Sequence, residues 1–133
     1  MPHAQSYKSC REEAKLYYKS IGFLICPAIR DEKVYFQNAG FKHLIYKEKR
    51  FRPIADQMRR FKALYYVKEI LLGAGVPSEY REEKGNSSTA RFWAFGKIIN
   101  GRYIHIILRK INNGPLHFFS VRSEQNTKTP EGV

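Results

Sequence analysis

Residues 91–122 read RFWAFGKII, then Asn100-Gly101, then RYIHIILRKIN, then Asn113-Gly114, then PLHFFSVR. Asn-Gly between alternating apolar runs is the sequence form of a tight hairpin, because a type I′ turn requires positive φ at both central residues. It occurs twice, which predicts a three-stranded antiparallel meander whose turns set the register. Counting back from the first turn pairs Trp93 with Leu108, Phe95 with Ile106 and Lys97 with Ile104 on one face. Counting from the second adds Phe119 and Val121, and this nearly all-apolar side is assigned to the core. The opposite side then carries Phe92, Ala94, Gly96, Tyr103, His105, Ile107, Arg109, Phe118, Ser120 and Arg122. A loop over Asn112, Asn113 and Gly114 in place of the second two-residue turn would move Ser120 to the core side.

Outward from the meander, Tyr80 to Lys84 reads as a fourth strand. From Tyr7 to Ser20 apolar residues recur at helical spacing, and Gly22 falls where a C-cap belongs. Phe23–Cys26 and Lys33–Phe36 are short β-like runs that form a small hairpin. Asn38 is a candidate N-cap for a helix to about Lys49, with Phe41, Leu44 and Ile45 on its inner side and His43 opposite them. Pro53 suits the first turn of a third helix that continues to about Leu72, ended by Gly73, Gly75 and Pro77. Helices first and an antiparallel meander second predict an α+β domain, its N-terminal helices on one face of a four-stranded antiparallel sheet. The expected organisation is a flexible lead over residues 1–6, a single domain over 7–123 and a flexible tail over 124–133.

The chain has 133 residues, with 24 Lys and Arg against 12 acidic residues and a net charge of +12. Such a field favours polyanions, with nucleic acid first and an acidic protein second. No apolar run reaches the ~18–20 residues of a membrane span, so a soluble chain without a membrane partner is expected. Cys10 and Cys26 lack metal-ligand spacing and read as free buried thiols, which fits a reducing cytoplasm. The sequence carries no metal cluster, phosphate-binding Gly-Lys loop, dinucleotide turn or nucleophile elbow, so neither metal nor cofactor is expected. Between Lys42 and Lys62 lie eight basic residues (Lys42, Lys47, Lys49, Arg50, Arg52, Arg59, Arg60 and Lys62) against Glu48 and Asp56. That run is suited to gripping phosphates.

These groups suit metal-free RNA cleavage. The reaction needs proton transfer at the ribose 2′-hydroxyl and at the leaving 5′-oxygen, with cations to hold the charge on the phosphorane. His43 could approach from the helix edge as general acid or base. His105, Arg109, Ser120 and Arg122 could approach from the open sheet face, with Ser120 donating to a phosphate oxygen and Arg60, Arg109 and Arg122 stabilising charge. Lys42 and Lys47 would help hold the RNA backbone, and a base could stack on Tyr46, Tyr103 or Phe118.

The run VYFQNAGFKHLIYK (Val34 to Lys47), the RRF at Arg59 to Phe61 and the closing YIHIILRKINNGPLHFFSVR resemble the phage and mobile-element branch of the barnase, EndoU, colicin and RelE-like (BECR) ribonucleases. There a Gly-x-x-His helix precedes a four-stranded antiparallel sheet whose last strand carries Ser or Thr. The matching positions are Gly40 with His43, and Ser120. The resemblance implies a metal-independent endoribonuclease, toxin-like, acting on tRNA or another cellular RNA, with an acidic antitoxin or immunity protein as a second partner. Members vary their catalytic groups among Glu, Lys, Arg and Tyr; this sequence puts no carboxylate on the open face, which shifts the weight to His43. Two other readings stay open, a non-catalytic nucleic-acid-binding module and an interaction protein that docks an acidic partner.

Overall fold

The computed structural model describes residues 3–125. It is an α+β fold in which helices cover one face of a six-stranded mixed sheet of order β1-β2-β8-β7-β6-β5. In chain order the elements are α1 (His3–Ile21), β1 (Phe23–Cys26), β2 (Glu32–Tyr35), α2 (Asn38–Ile45), β3 (Tyr46–Lys47), β4 (Arg50–Phe51), α3 (Ile54–Leu64), α4 (Val67–Gly73), β5 (Glu79–Lys84), β6 (Thr89–Ile99), β7 (Arg102–Ile111) and β8 (Leu116–Gln125).

The first Asn-Gly turn is as the sequence requires. Asn100 and Gly101 have φ of 52° and 77°, and Trp93 faces Leu108, Phe95 faces Ile106 and Lys97 faces Ile104. Gly101→Ala should cost about 1 kcal/mol, because a Cβ there meets no neighbour and the whole penalty is the left-handed backbone. A urea-midpoint shift at unchanged m measures it.

The second turn departs from expectation. Asn112, not Asn113-Gly114, takes the left-handed conformation, at φ 52°. Thr89 holds it there: Asn112 N donates to Thr89 O at 2.8 Å and Thr89 N donates to Asn112 Oδ1 at 2.9 Å. The loop over residues 112–115 therefore sets a register one residue off, with Arg109 opposite His117 and Leu108 opposite Phe118. A bulge at Phe119 restores it, so that Ile107 faces Ser120, Ile106 faces Val121 and His105 faces Arg122. The two offsets cancel. Ser120 and Arg122 stay on the open face, but Phe118 and Phe119 exchange sides.

Phe118 is fully buried, stacked on Phe36 at 5.3 Å and edge-on to Tyr18 at 5.7 Å. The core cluster joins it to Leu24, Val34, Phe41, Leu44, Phe61, Leu64, Phe95, Ile106, Leu108 and Val121, drawn from both the helices and one sheet face.

Four other expectations change. The sheet is neither four-stranded nor wholly antiparallel, because β1 and β2 form the expected hairpin and β2 then pairs in parallel with β8, Val34 to Leu116 and Tyr35 to His117. The second helix stops at Ile45, and β3 and β4 make a separate two-stranded hairpin with Glu48 at φ 57° in its turn. The third helix divides at Tyr65 and Tyr66, and the re-aimed α4 brings Val67, Ile70 and Leu71 into the core beside β1 and β6. The lead is helical from His3 onward, while Glu124 and Gln125 belong to β8; residues 1–2 and 126–133 lie outside the described residues. Cys10 and Cys26 are free. Among the described residues no helix is long and apolar enough to cross a membrane.

Candidate functional site

Gly40 decides where His43 goes. A Cβ on Gly40 would run into the Tyr18 hydroxyl and sit 2.7 Å from Phe118 O, so only glycine lets α2 lie this close to β8. The Tyr18 hydroxyl donates to Gln37 O at 2.6 Å and ties the start of the helix to α1. One turn later, with Phe41, Leu44 and Ile45 directed inward, the outward edge presents His43. Its ring meets Phe119, the bulged residue, with centroids 4.5 Å apart.

Phe119 is the floor of a cationic cluster. The Arg109 guanidinium lies over its ring at 4.5 Å, and Phe92 meets it edge-on at 5.7 Å. Arg109 Nε donates to His117 Nε2 at 3.1 Å, and with that nitrogen accepting, His117 Nδ1–H donates to Pro115 O at 3.3 Å. This is a neutral tautomer with both nitrogens in use. Burial, more than the adjacent Arg109, holds the His117 pKa below its ordinary value, although the Pro115 bond opposes this.

From the helix side, α3 inserts Arg60. Its Nη1 donates to Val121 O at 2.8 Å and to Ser120 Oγ at 3.4 Å, while Nε donates to Asp56 Oδ1 at 3.2 Å. Arg52 Nε donates to His43 O at 2.9 Å and its Nη1 lies 3.6 Å from Asp56. Arg60 is 9% exposed, so it is less a free phosphate ligand than the clamp that fixes the bulge, with its charge close by. Arg60→Ala should therefore cost about 2 kcal/mol of stability, since three charge-assisted bonds are lost for one side chain. Arg60→Lys should recover little of it, because an ammonium cannot span Asp56 and Val121 at once. Equilibrium denaturation of both variants reads this.

Asp56 answers two of these arginines, and the result is positive around His43. Burial first, then Arg109, Arg52, His117 and Arg60, depress the His43 pKa below 6.5. Both burial and the neighbouring cations favour the neutral imidazole, the form able to accept a proton.

The central part of the open face holds His105. It stands across from Arg122 and stacks on Tyr103 at 5.8 Å. Tyr103 in turn lies across Gly96, where any Cβ would meet its ring. His105 Nδ1 is buried and makes no hydrogen bond among the described residues. Burial and Arg122 lower its pKa, while Glu124 and Glu79 pull it up. Carboxylates thus do stand on this face, contrary to the sequence reading: Glu79 opposite Ala94 and Glu124 opposite Tyr103. Glu124 also lies 3.5 Å from Arg122.

The structure brings together His43, Arg60, Arg109, Ser120 and Arg122, with His105 and Tyr103 continuing along the sheet. Lys42 and Tyr46 line a cleft with His43, and Lys47 lines the neighbouring one with Arg60. Two expected members are elsewhere. Phe118 lies in the core and offers no face to a base. Arg59, although adjacent to Arg60 in sequence, lines a different cavity with Lys62 and Arg102 near the β6–β7 turn, because successive helical residues point about 100° apart. Phe119, His117 and Arg52 were missed. Arg52 was visible as part of the basic run, whereas the other two depend on the one-residue slip after Ile111. Among the described residues no three of His, Cys, Asp and Glu are grouped as metal ligands would be.

Comparison with protein-family models, with curated proteins and with solved structures finds no match for this chain.

Proposed function

We propose that the chain is a metal-independent endoribonuclease of the BECR type that cleaves RNA, tRNA among its substrates, by attack of the 2′-hydroxyl on the adjacent phosphate. The observation that carries this reading is the His43 imidazole held against Phe119 beside Arg109, Arg52 and Arg60, with burial first and then those charges lowering its pKa and so favouring the base form. His43 takes the 2′-hydroxyl proton, the 2′-oxygen bonds to phosphorus and the bond to the 5′-oxygen breaks. The products are a 2′,3′-cyclic phosphate and a 5′-hydroxyl. Arg109 and Arg122 carry the added negative charge of the phosphorane, and Ser120, oriented by Arg60, donates to a non-bridging oxygen. The leaving 5′-oxygen takes its proton from water; His105, farther along the same face, has its Nδ1 buried and its pKa lowered by burial and Arg122, which does not suit it to act as the acid. His117 is excluded from that role by its two existing bonds.

The net charge of +12 supports phosphate binding and equally fits an acidic antitoxin or immunity protein laid across the same cluster. The BECR reading draws support from the α+β architecture and from the approach of α2, through Gly40, to β8, on a sheet that is six-stranded and mixed where that reading expects four antiparallel strands. The test is incubation of the purified protein with total tRNA in EDTA. Fragments ending in cyclic phosphate, with 5′-hydroxyl partners, are expected. Salt-dependent RNA binding with no cleavage in any RNA tested would leave a binding module instead.

A further inference from the structure

The β3–β4 hairpin belongs to no larger sheet; its two short strands pair only with each other. It separates two clefts that both reach the cluster. One, of about 290 Å³, is lined by Lys42, His43 and Tyr46. The other, of about 600 Å³, is lined by Phe51, Arg52 and Arg60. Arg52 follows the hairpin directly, and its N donates to Ile45 O at 2.8 Å, so the hairpin is tied to the helix that carries His43.

Tyr46 and Phe51 face each other across the hairpin with rings 4.7 Å apart and 31° from parallel. Tyr46 is half-buried against α2, while Phe51 is 63% exposed. Nothing in the fold requires an open phenyl ring here. Lys47, Lys49 and Arg50 are exposed on the same hairpin, with Glu48 as the single acidic residue among them. An aromatic face rimmed by cations has the chemistry of a base with its flanking phosphates.

We propose that Phe51, backed by Tyr46, is a stacking platform for an unpaired nucleobase adjoining the phosphate held at His43, so that the substrate is single-stranded RNA or the loop of a folded RNA. The inference rests on the reading of the His43 cluster as an RNA site. A paired base has both faces covered by its neighbours in the helix and cannot use the platform. Phe51 therefore selects for single strands, while Lys47, Lys49 and Arg50 hold the backbone on either side.

Fluorescence anisotropy with a labelled 2′-O-methyl RNA decamer, which cannot be cleaved, tests this on the full chain. The same strand annealed to its complement is the control. Phe51→Ala should weaken single-strand binding about tenfold and change duplex binding less than twofold. Phe51→Trp should keep the affinity, and in a Trp93→Phe background the indole emission should be quenched by the single strand alone. Equal losses on both strands, or no loss on either, would overturn the platform, as would a wild type that binds neither. Cleavage of RNA by wild type alongside unchanged affinity in Phe51→Ala removes the platform and leaves the nuclease. The tenfold loss in a protein that never cleaves RNA removes the nuclease and leaves the platform.

Discussion

RNA incubated in EDTA with His43→Ala protein should be cleaved ~10²–10⁴-fold more slowly than with wild type, the range that loss of a positioned general base produces. The imidazole is half-withdrawn from water and faces three arginines, so protonating it is disfavoured. Its folded pKa lies below the ordinary 6.5, and the base form is the one required. The wild-type rate should therefore be flat through neutral pH and fall only as the pH drops through that lowered pKa. Arg109 is the largest charge opposing protonation; Arg109→Gln should move the acid limb upward in pH as well as slow the reaction. His43→Ala should remove the limb altogether. A pH–rate profile on wild type and both variants reads all three, and an acid limb that persists without the imidazole would assign the base elsewhere.

Gly40→Ala should unfold the protein more readily, although alanine in a helix is ordinarily worth about 1 kcal/mol over glycine. The added methyl would sit 2.7 Å from a backbone oxygen of β8 and 2.9 Å from the Phe118 ring, besides meeting the Tyr18 hydroxyl. Overpacking of that kind costs about 3 kcal/mol where backbone must move, so the net is a loss of about 2 kcal/mol and a melting temperature lower by several degrees. Activity should fall further than the unfolded fraction accounts for, because lifting α2 off β8 draws His43 away from Phe119. Tyr18→Phe alone should cost about 1 kcal/mol for its bond to Gln37. Combined with Gly40→Ala it should cost less than the sum, since it removes one of the atoms in the way. Strict additivity would show that the clash is relieved by a different movement.

Local chemistry made the first hairpin readable. Asn100-Gly101 admits one tight turn, and once that is set, Trp93, Phe95, Ile106 and Leu108 fall into register without further information. The 3.6-residue period likewise placed His43 outside Phe41, Leu44 and Ile45. The parallel ladder of β2 on β8 was illegible for the opposite reason: Val34 and Leu116 are far apart in the chain, and nothing in either run states its partner. The β3–β4 hairpin was hidden because the helix read from Asn38 ran on through Tyr46 to about Lys49, and the break depends on Glu48 adopting a left-handed backbone. At the second turn the Asn-Gly signal was present but a competing one, Asn112 bonded to Thr89, prevailed. Half of the candidate site survived that error because the bulge at Phe119 reversed it before Ser120. Phe118 and His117, ahead of the bulge, kept the altered register.

β8 lies at the heart of the sheet, between β2 and β7, yet it is the last strand along the described chain. A polypeptide ending between residues 112 and 115 would keep every helix and five of the six strands of this sheet, but it would have a gap where the sheet should be joined. It would also lack Phe119, Ser120 and Arg122 together. Joining the sheet requires loops spanning most of the chain to close, which is entropically slow. The cluster around His43 can therefore close only once β8 is present, and a chain that stops short of it carries His43, Arg52, Arg60 and Arg109 without Phe119, Ser120 and Arg122.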